Sequence, residues 1–211
     1  MINFEASLLI ALSHNFYEHG FDLVLEKKQF RKKNASGFQC IIPSVSVYQQ
    51  VAYIEIHLGL RHQAVEELLV QFSNHPLEYQ SDTCTVLVSI GKLLNRKYFR
   101  YKAHTEADIR RIGEDIQKFM DEQGLHFLQE ASKIMVLDSL LNAEPEISNI
   151  YCYNHFHRCL RGIILAKMTQ NPDFERLGRI YKQNLLRHHV PLEQSRNFDK
   201  LLNFLEKFSL N

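Results

Sequence analysis

Apolar and polar residues alternate between positions 21 and 60 of the chain. In the clearest run, every second residue is apolar: Ala52, Ile54, Ile56, Leu58 and Leu60. The same period of two is followed by Phe38, Cys40 and Ile42. A shorter run covers residues 21–30. Successive side chains of a strand point to opposite faces, so this pattern predicts an antiparallel β-unit with one buried face.

Small and polar residues separate two of these predicted strands. Residues 34–37, Asn-Ala-Ser-Gly, end in a glycine that can adopt a positive φ at no steric cost, so they predict the turn of a β-hairpin. Pro43 cannot donate a backbone hydrogen bond, and we expect it to end the second strand or to place it at a sheet edge. Residues 83–90 are rich in β-branched side chains and predict a further strand.

Two stretches beside the predicted strands show helical spacing. Apolar residues recur every three or four positions at Phe4, Leu8, Leu12 and Phe16, and again at Val65, Leu68, Leu69 and Phe72. The first set predicts an amphipathic helix over residues 3–18 that ends at Gly20. The second set predicts a helix that ends before residues 74–76, Asn-His-Pro.

The second half of the chain carries helical spacing throughout. Thr105 and Asp108 resemble a capping arrangement at the start of the first of these helices. Predicted breaks between successive helices fall at Gly124, Pro145, Asn171-Pro172 and Pro191. They leave predicted helices at 125–142 and at 147–170. The next helix is predicted to have Asn171 as its cap and Pro172 in its first turn, and its apolar stripe consists of Phe174, Leu177, Tyr181 and Leu185. The last helix is predicted from Phe198, Leu201, Leu202, Leu205 and Phe208.

Strands gathered in the first half and helices in the second indicate an α+β fold, because a doubly wound fold would alternate strands with helices. We expect an N-terminal helix, an antiparallel sheet of about four strands with flanking helices, and a helical C-terminal half of antiparallel hairpins. The predicted division separates a sheet region, residues 1–104, from a helical region, residues 105–211, with both packed as one compact unit.

Composition and charge are those of an ordinary globular protein. The chain has 211 residues, of which 45% are hydrophobic and 23% charged, and its formal net charge of +1 provides no overall attraction to nucleic acid or to an anionic membrane. Four cysteines in a chain with this much core need no disulfides. The apolar run from Ser7 to Ser13 is too short to span a membrane. We therefore expect a cytoplasmic protein with reduced thiols and no membrane partner.

A series of short features in the first 140 residues resembles a known family. An amphipathic helix is followed by Gly20-Phe21, by Lys28-Gln29-Phe30-Arg31-Lys32, by Gly37-Phe38-Gln39 and by Leu58-Gly59-Leu60. This order resembles a family of uncharacterised bacterial α+β domains of unknown function, which begin with a helix, a Gly-Phe step, a basic and aromatic strand and a second strand that starts at glycine. The resemblance implies the fold and carries over no activity, cofactor or catalytic residue.

Two clusters combine basic and aromatic side chains. The first basic cluster consists of Lys27, Lys28, Phe30, Arg31, Lys32 and Lys33, and the second basic cluster consists of Arg96, Lys97, Tyr98, Phe99, Arg100, Tyr101 and Lys102. Basic side chains neutralise phosphates and aromatic rings stack on bases, so a sheet that presents both clusters would bind single-stranded nucleic acid. The alternative is a solvated hairpin tip, whose Lys and Arg residues discourage pairing between sheet edges.

A third candidate site combines cysteine and histidine. If residues 147–170 form one helix, Cys152, His155 and Cys159 share a face, and thiolate and imidazole are preferred zinc ligands. A fourth ligand would come from His126, His188 or His189. The same groups would suit a cysteine nucleophile, but no orienting carboxylate or oxyanion hole is identifiable. The alternative is a packed helix face, because buried cysteine is common in protein cores.

No segment has the spacing of a catalytic or nucleotide-binding motif. Residues 89–92, Ser-Ile-Gly-Lys, lack the earlier glycine and the following Ser or Thr of a phosphate-binding loop. Glu66 and Glu67 are expected on the solvated face of their helix. We therefore expect a non-enzymatic protein-binding or regulatory module without a cofactor, whose sheet edge or helical hairpins contact another protein. Nucleic-acid binding through the basic clusters is the alternative function, and a metal site or enzyme at the two cysteines and His155 is the second alternative.

Overall fold

The protein adopts an α+β fold in a computed structural model, which describes residues 2–73 and 76–207. Its described helices are α1 (Phe4–Glu18), α2 (Gln63–Val70), α3 (Leu77–Gln80), α4 (Ile90–Leu93), α5 (Glu106–Phe119), α6 (Leu125–Ala131), α7 (Ile134–Asn142), α8 (His155–Met168), α9 (Phe174–Arg187) and α10 (Leu192–Lys207). Its described strands are β1 (Asp22–Val24), β2 (Gln29–Asn34), β3 (Gly37–Tyr48), β4 (Val51–His62), β5 (Val86–Ser89) and β6 (Tyr101–Ala103). A 3-10 turn covers Leu25–Lys27, and a π-helical segment covers Met120–Gly124. The predicted fold class is confirmed.

The described strands form one sheet in the order β1-β2-β3-β4-β5, with β6 also paired to β4. The pairs β1 with β2, β2 with β3, and β4 with β6 are antiparallel. The predicted hairpin is confirmed: Asn34 lies opposite Gly37, and Asn34 Oδ1 accepts a hydrogen bond from the Ser36 N–H at 3.0 Å. The sheet contains more strands than predicted, because the predicted run 21–30 is divided between β1 and β2, and because β6, at three residues, is too short to show an alternating pattern.

The first predicted strand run, residues 21–30, is not one strand. The 3-10 turn at Leu25–Lys27 interrupts it, and Lys28 adopts a left-handed conformation with a φ of 51°. The chain then reverses direction, so that Leu23 pairs with Phe30. The apolar alternation in this run therefore spans β1 and the turn that follows it.

Pro43 does not end the second predicted strand. β3 continues through it to Tyr48, and its pairing with β2 ends at Ile41, opposite Phe30. Of the two predicted alternatives, an end of the strand at Pro43 is therefore wrong. Pro43 lies past the part of β3 that pairs with β2, so the β2 ladder does not require an N–H from this proline.

Local signals at helix ends correspond to observed caps. At the start of α1, Asn3 Oδ1 accepts a hydrogen bond from the Ala6 N–H at 3.1 Å. Thr105 and Asp108 form a complete capping box at the start of α5, as predicted. Gly20 follows α1 with a φ of 79°, a conformation that glycine adopts without steric cost.

Gly124 does not end a helix as predicted. The chain continues from α5 through the π-helical segment into α6, and the predicted helix 125–142 is instead divided between α6 and α7. A methyl group at Gly124 would lie 2.5 Å from Met120 Sδ. This glycine therefore provides space for the methionine side chain within the continuing helix.

The predicted helix at 147–170 begins only at His155. Asn149 holds the preceding segment in a turn, because its side-chain oxygen accepts hydrogen bonds from two backbone N–H groups, at 2.8 Å and 3.1 Å. Asn154 then caps α8 by accepting a hydrogen bond from the His157 N–H at 3.0 Å. These two asparagine contacts explain the later start.

The helices α2, α9 and α10 lie where the apolar stripes predict them. Asn74 and His75, predicted to follow α2, and Phe208, predicted in the last helix, lie outside the described residues. The predicted cap of α9 is displaced by two residues, since Asp173 occupies the cap position and Asn171 Oδ1 accepts its N–H at 2.9 Å. None of the described helices is long and apolar enough to cross a membrane.

The chain forms two compact units, each assembled from separate stretches. The first contains the residues up to Leu60 together with Leu87–Glu130, and the second contains Arg61–Val86 and the residues from Ala131 onward. This division differs from the predicted boundary at residues 103–105, because α5 packs against α1 and β6 within the first unit.

Each unit has its own apolar core. In the first unit, the rings of Phe16 and Phe30 meet edge to face with centroids 4.9 Å apart, and the Phe21 ring lies 6.4 Å from that of Phe16. In the second unit, α8 is buried along most of its length and contacts α2, α7, α9 and α10. Tyr181 of α9 is fully buried and packs edge-on against Phe198 of α10.

Candidate functional site

The first basic cluster lies mainly on β2, and several of its side chains contact other residues of the first unit. Phe30 is buried in the core, so it offers no ring for stacking on a base, contrary to the prediction. Lys28 forms an ion pair with Glu5 at 2.7 Å, and Lys32 Nζ donates to a backbone carbonyl after α1 at 2.9 Å. The Arg31 guanidinium lies over an aromatic ring of β3, 4.3 Å from its centroid. These contacts connect the cluster to α1 and β3 within the first unit.

Residues 96–100 of the second basic cluster line a pocket of about 460 Å³ in the first unit. The lining residues are Glu55 of β4, Ser89 of β5, Lys92 of α4 and residues 96–100 of the following loop. We refer to this site as the basic pocket. Tyr101 and Lys102, which the sequence groups with this cluster, belong to β6 instead.

The two basic clusters do not form one surface. In the sheet order, β3 and β4 lie between β2, which carries most of the first cluster, and β6, which follows the pocket loop. Neighbouring strands are about 4.8 Å apart, so β2 and β6 are separated by about 14 Å. A ligand held in the basic pocket therefore does not need the first basic cluster.

A tight backbone arrangement positions the loop of the basic pocket. β5 ends at Ser89, whose hydroxyl accepts a hydrogen bond from the Lys92 N–H at 3.4 Å and starts α4. The Arg96 N–H donates to the Gly91 carbonyl at 2.7 Å, which brings the chain back to α4. A methyl group at Gly91 would lie 2.7 Å from Phe99 Cβ, closer than carbon atoms approach. Only glycine allows this return of the loop.

Two neighbouring aromatic residues of the loop have opposite environments. Phe99 is half-buried, with its ring centroid 4.8 Å from that of Tyr101 and 5.4 Å from the Arg96 guanidinium. Tyr98 is fully exposed and adopts a left-handed φ of 56°, a conformation that costs a non-glycine residue about 1 to 2 kcal/mol. Phe99 therefore anchors the loop, while Tyr98 is held against its own backbone preference with its ring in solvent.

Four cations and one carboxylate give the lining of the basic pocket a formal charge of +3. Arg100 Nε lies 3.5 Å from Glu55 Oε2, and His57 Nε2 lies 3.8 Å from Glu55 Oε1. Burial lowers the pKa of His57 below its ordinary value in spite of the nearby Glu55 charge, so His57 is neutral at neutral pH. The pocket therefore attracts anions through its Lys and Arg side chains.

The predicted metal site is not assembled on one helical face. Cys152 precedes α8, and its Sγ lies 3.5 Å from Arg161 Nη1. The His155 ring stacks on the His188 ring, with centroids 3.5 Å apart. Burial raises the pKa of the Cys159 thiol to about 12, which disfavours the thiolate that a metal or a nucleophile requires. Within residues 2–73 and 76–207, no three His, Cys, Asp or Glu side chains are grouped to hold a metal ion.

Glu66 is buried, whereas the sequence predicts it on a solvated helix face. Arg161 donates two hydrogen bonds to its carboxylate, from Nε to Oε1 at 2.8 Å and from Nη2 to Oε2 at 2.9 Å. The Thr85 hydroxyl donates a third bond to Oε1 at 2.9 Å. Burial alone would raise the pKa of Glu66, but the ion pair and hydrogen bonds hold it below its ordinary value. These partners all belong to the second unit, which indicates a structural role.

Three lining residues of the basic pocket are absent from the predicted site: Glu55, Ser89 and Lys92. Ser89 and Lys92 lie in the segment that lacks the spacing of a phosphate-binding loop. A strand that ends in serine before a lysine-bearing turn is the weaker signal that points to them. Glu55 has no local signal, because it reaches the pocket from β4.

No protein-family model, curated protein or solved structure matches the chain. The resemblance to uncharacterised bacterial α+β domains therefore stays a prediction. The function is inferred from the geometry and charge of the basic pocket.

Proposed function

We propose that the protein is a non-enzymatic binding protein that holds single-stranded nucleic acid at the basic pocket. The observation that carries this proposal is that four cations and Tyr98, whose side chain is fully exposed, line the same cavity. Cations neutralise backbone phosphates, and an exposed aromatic ring stacks on a base of any sequence. This proposal adopts the alternative function expected from the sequence and confines it to one of the two predicted clusters.

The cations of the basic pocket are accessible to a ligand. Lys92, Arg96 and Lys97 are exposed, and Arg100 Nε lies at a long distance of 3.5 Å from Glu55 Oε2. Exposed pairs of this kind contribute about 0 to 1 kcal/mol, so Arg100 can exchange its partner for a phosphate at little cost.

The dimensions of the pocket favour a single strand over a duplex. Its volume of about 460 Å³ falls within the range of about 300 to 1,000 Å³ that is typical of small-ligand sites, which suits individual nucleotides. A single strand can turn an unpaired base towards Tyr98, whereas the bases of a duplex are already stacked and paired.

Fluorescence anisotropy with a labelled oligothymidylate of about fifteen nucleotides tests the proposal. At about 50 mM NaCl we expect binding that weakens as salt increases, because phosphate contacts release counterions. We expect Arg96→Ala/Lys97→Ala/Arg100→Ala to weaken binding by about tenfold or more and to lower the salt slope by about 2, since each phosphate contact on a single strand contributes about 0.7.

A matched control removes three lysines outside the pocket. Lys27→Ala/Lys28→Ala/Lys33→Ala changes the net charge by the same amount on the first basic cluster. We expect its affinity to stay within about twofold of the wild type, because exposed charges more than about 10 Å from the ligand are largely screened. Undetectable binding at low salt, or an equal loss in both triple variants, would contradict the proposal.

Binding of another protein through the sheet edge or the helical hairpins stays a prediction, as does a cytoplasmic location. β1 forms one end of the strand order and is three residues long, which gives an added strand few backbone groups to pair with. A pull-down from lysate, divided into nuclease-treated and untreated halves, separates the two functions. A protein retained in both halves supports protein binding, and material lost after nuclease treatment supports nucleic-acid binding.

A further inference from the structure

Among the described residues that line the basic pocket, Glu55 is the one carboxylate beside four cations. It lies in the middle of β4 and is half-buried, on the strand face that also carries Tyr53 and His57. A carboxylate at this position lowers the attraction of the pocket for a simple anion. Its presence therefore bears on which ligand the pocket accepts.

The neighbours of Glu55 leave its oxygens with acceptor capacity. Arg100 Nε and His57 Nε2 lie 3.5 Å and 3.8 Å away, whereas charge-assisted hydrogen bonds measure about 2.7 to 2.9 Å. A carboxylate offers about four lone-pair sites, two on each oxygen. Both Glu55 oxygens can therefore accept hydrogen bonds from a ligand in the pocket.

A nucleotide provides the two kinds of group that this lining complements. Its phosphates are anionic and fit Lys92, Arg96 and Lys97, while the edge of its base carries N–H donors that fit Glu55. A ligand with phosphates alone would be repelled by Glu55 and would carry no N–H group to donate a hydrogen bond to it. The mixed lining thus favours a ligand in which phosphate and base enter the pocket together.

We propose that Glu55 recognises guanine in the bound single strand by accepting hydrogen bonds from the N1–H and N2–H groups of the base. This inference rests on the proposed nucleic-acid function and specifies the base. Guanine is the common base with two adjacent donors on its Watson–Crick edge, and they match the two carboxylate oxygens.

The other bases place an acceptor against the Glu55 carboxylate. Adenine and cytosine carry one amino donor beside a ring-nitrogen acceptor, and thymine carries one N–H between two carbonyls. Each leaves a Glu55 oxygen facing a lone pair. Tyr98 contributes equally to every base, because stacking does not depend on the hydrogen-bonding edge.

Competition between short oligonucleotides tests this inference. Unlabelled pentanucleotides, with two thymidines on each side of a variable central base, displace the labelled oligothymidylate used to test the proposed function. We expect central guanine to bind about tenfold more tightly than central thymine, the discrimination typical of a good bidentate contact. Inosine, which keeps N1–H and lacks the N2 amino group, is expected to fall between them.

Glu55→Gln removes the second acceptor and the charge with little change in shape. We expect it to reduce the preference for guanine to within about twofold and to strengthen binding of the all-thymidine pentanucleotide, because repulsion of phosphate is relieved. Glu26→Gln, at an exposed carboxylate in the 3-10 turn of the same unit, is the matched control and is expected to keep the wild-type preference.

The outcomes separate failure of this inference from failure of the proposed function. Binding of all pentanucleotides with equal affinity overturns guanine recognition and leaves nucleic-acid binding in place. Binding of none overturns both. An equal change for every base in Glu55→Gln overturns guanine recognition, since Glu55 then acts only by placing Arg100. Equal binding of inosine and guanine overturns the role of the second donor.

Discussion

Two arginine–glutamate pairs in this protein differ in almost every physical respect. In the second unit, Arg161 holds Glu66 through two hydrogen bonds of 2.8 Å and 2.9 Å, and the side chains are 7% and 0% exposed. In the first unit, Arg100 lies 3.5 Å from Glu55, and the side chains are 58% and 29% exposed. The charged groups of the buried pair form hydrogen bonds to fixed protein partners in place of water, whereas those of the exposed pair are still partly hydrated.

This difference separates a structural role from a binding role. A buried charge without its partner costs several kcal/mol, so the fold depends on both members of the buried pair. An exposed pair contributes about 0 to 1 kcal/mol and can exchange its partner for a ligand. Changes to the buried pair should therefore alter stability, and changes to the basic pocket should alter binding.

The largest expected effect is on the buried pair. Arg161→Met leaves Glu66 buried without its cation and is expected to reduce the free energy of unfolding by about 3 to 5 kcal/mol. Arg100→Ala, which removes the cation of the exposed pair, is expected to cost less than about 1 kcal/mol. Urea unfolding followed by circular dichroism measures both.

A double replacement provides the control for the buried pair. Glu66→Leu combined with Arg161→Met removes both charges and is expected to recover most of the lost stability, because no unpaired charge remains. Equal losses for Arg161→Met and Arg100→Ala would show that the comparison between the two pairs is wrong.

The next effect concerns the loop that forms the basic pocket. Gly91→Ala brings a methyl group to 2.7 Å from Phe99 Cβ, and we expect it to cost about 1 to 3 kcal/mol of stability as the loop is displaced. Binding of oligothymidylate should weaken as well. Gly113→Ala, in α5 of the same unit, is the control. Its added methyl group would lie 3.3 Å from Ala11 Cβ, and we expect oligothymidylate binding to persist. Unchanged oligothymidylate binding by Gly91→Ala would show that the position of this loop does not determine binding at the basic pocket.

A smaller and more specific effect is expected at Tyr98. Tyr98→Ala removes the exposed ring and should weaken oligothymidylate binding by about fivefold or more, whereas Tyr98→Phe should retain it. Tyr98→Gly should also weaken binding, yet raise the free energy of unfolding by about 1 kcal/mol, because glycine relieves the left-handed backbone. Anisotropy titrations and urea unfolding on the same samples measure the two quantities. Equal affinity for Ala and Phe variants would exclude stacking at this position.

The smallest expected effect is a dependence of stability on pH. Burial lowers the pKa of His57, His62 and His155 below the ordinary value of 6.5. Below pH 6.5 the unfolded state then binds more protons, so the free energy of unfolding falls as the pH decreases through this window. Glu66, whose pKa is also lowered, contributes stability above its ordinary value of 4.5 that is lost as the pH falls through its folded pKa.

Unfolding free energies measured between about pH 8 and pH 5 test the histidine contribution. His57→Gln removes the one of these groups that lies beside the basic pocket, and we expect it to give a shallower slope below pH 6.5 than the wild type. Identical slopes would show that His57 does not contribute to the pH dependence of the free energy of unfolding.

Features that depend on neighbouring residues could be predicted from the sequence. The turn between Asn34 and Gly37 and the capping box of Thr105 and Asp108 each involve residues no more than three positions apart. The α+β class could also be predicted, because each strand or helix has its own local period and the strands precede most of the helices along the chain. These local preferences persist in the fold because packing does not oppose them.

Features that depend on distant partners could not be predicted in this way. Glu66 and Arg161 are 95 positions apart, so the period of α2 gives no sign that one of its carboxylates is buried against an arginine. Within the basic pocket, composition identified residues 96–100, but it could not distinguish exposed Tyr98 from half-buried Phe99. Their environments depend on backbone conformation and on the close approach to Gly91.

The interleaved make-up of the two units has a consequence for how the chain folds during synthesis. As it leaves the ribosome, the stretch Arg61–Val86 emerges before α5, which the first unit requires, and long before the residues from Ala131 onward that complete its own unit. Neither unit can finish folding until at least Glu130 has been translated. A nascent chain stalled earlier would expose the apolar sides of α1 and α2 together, at the stage when chaperones act on incomplete proteins.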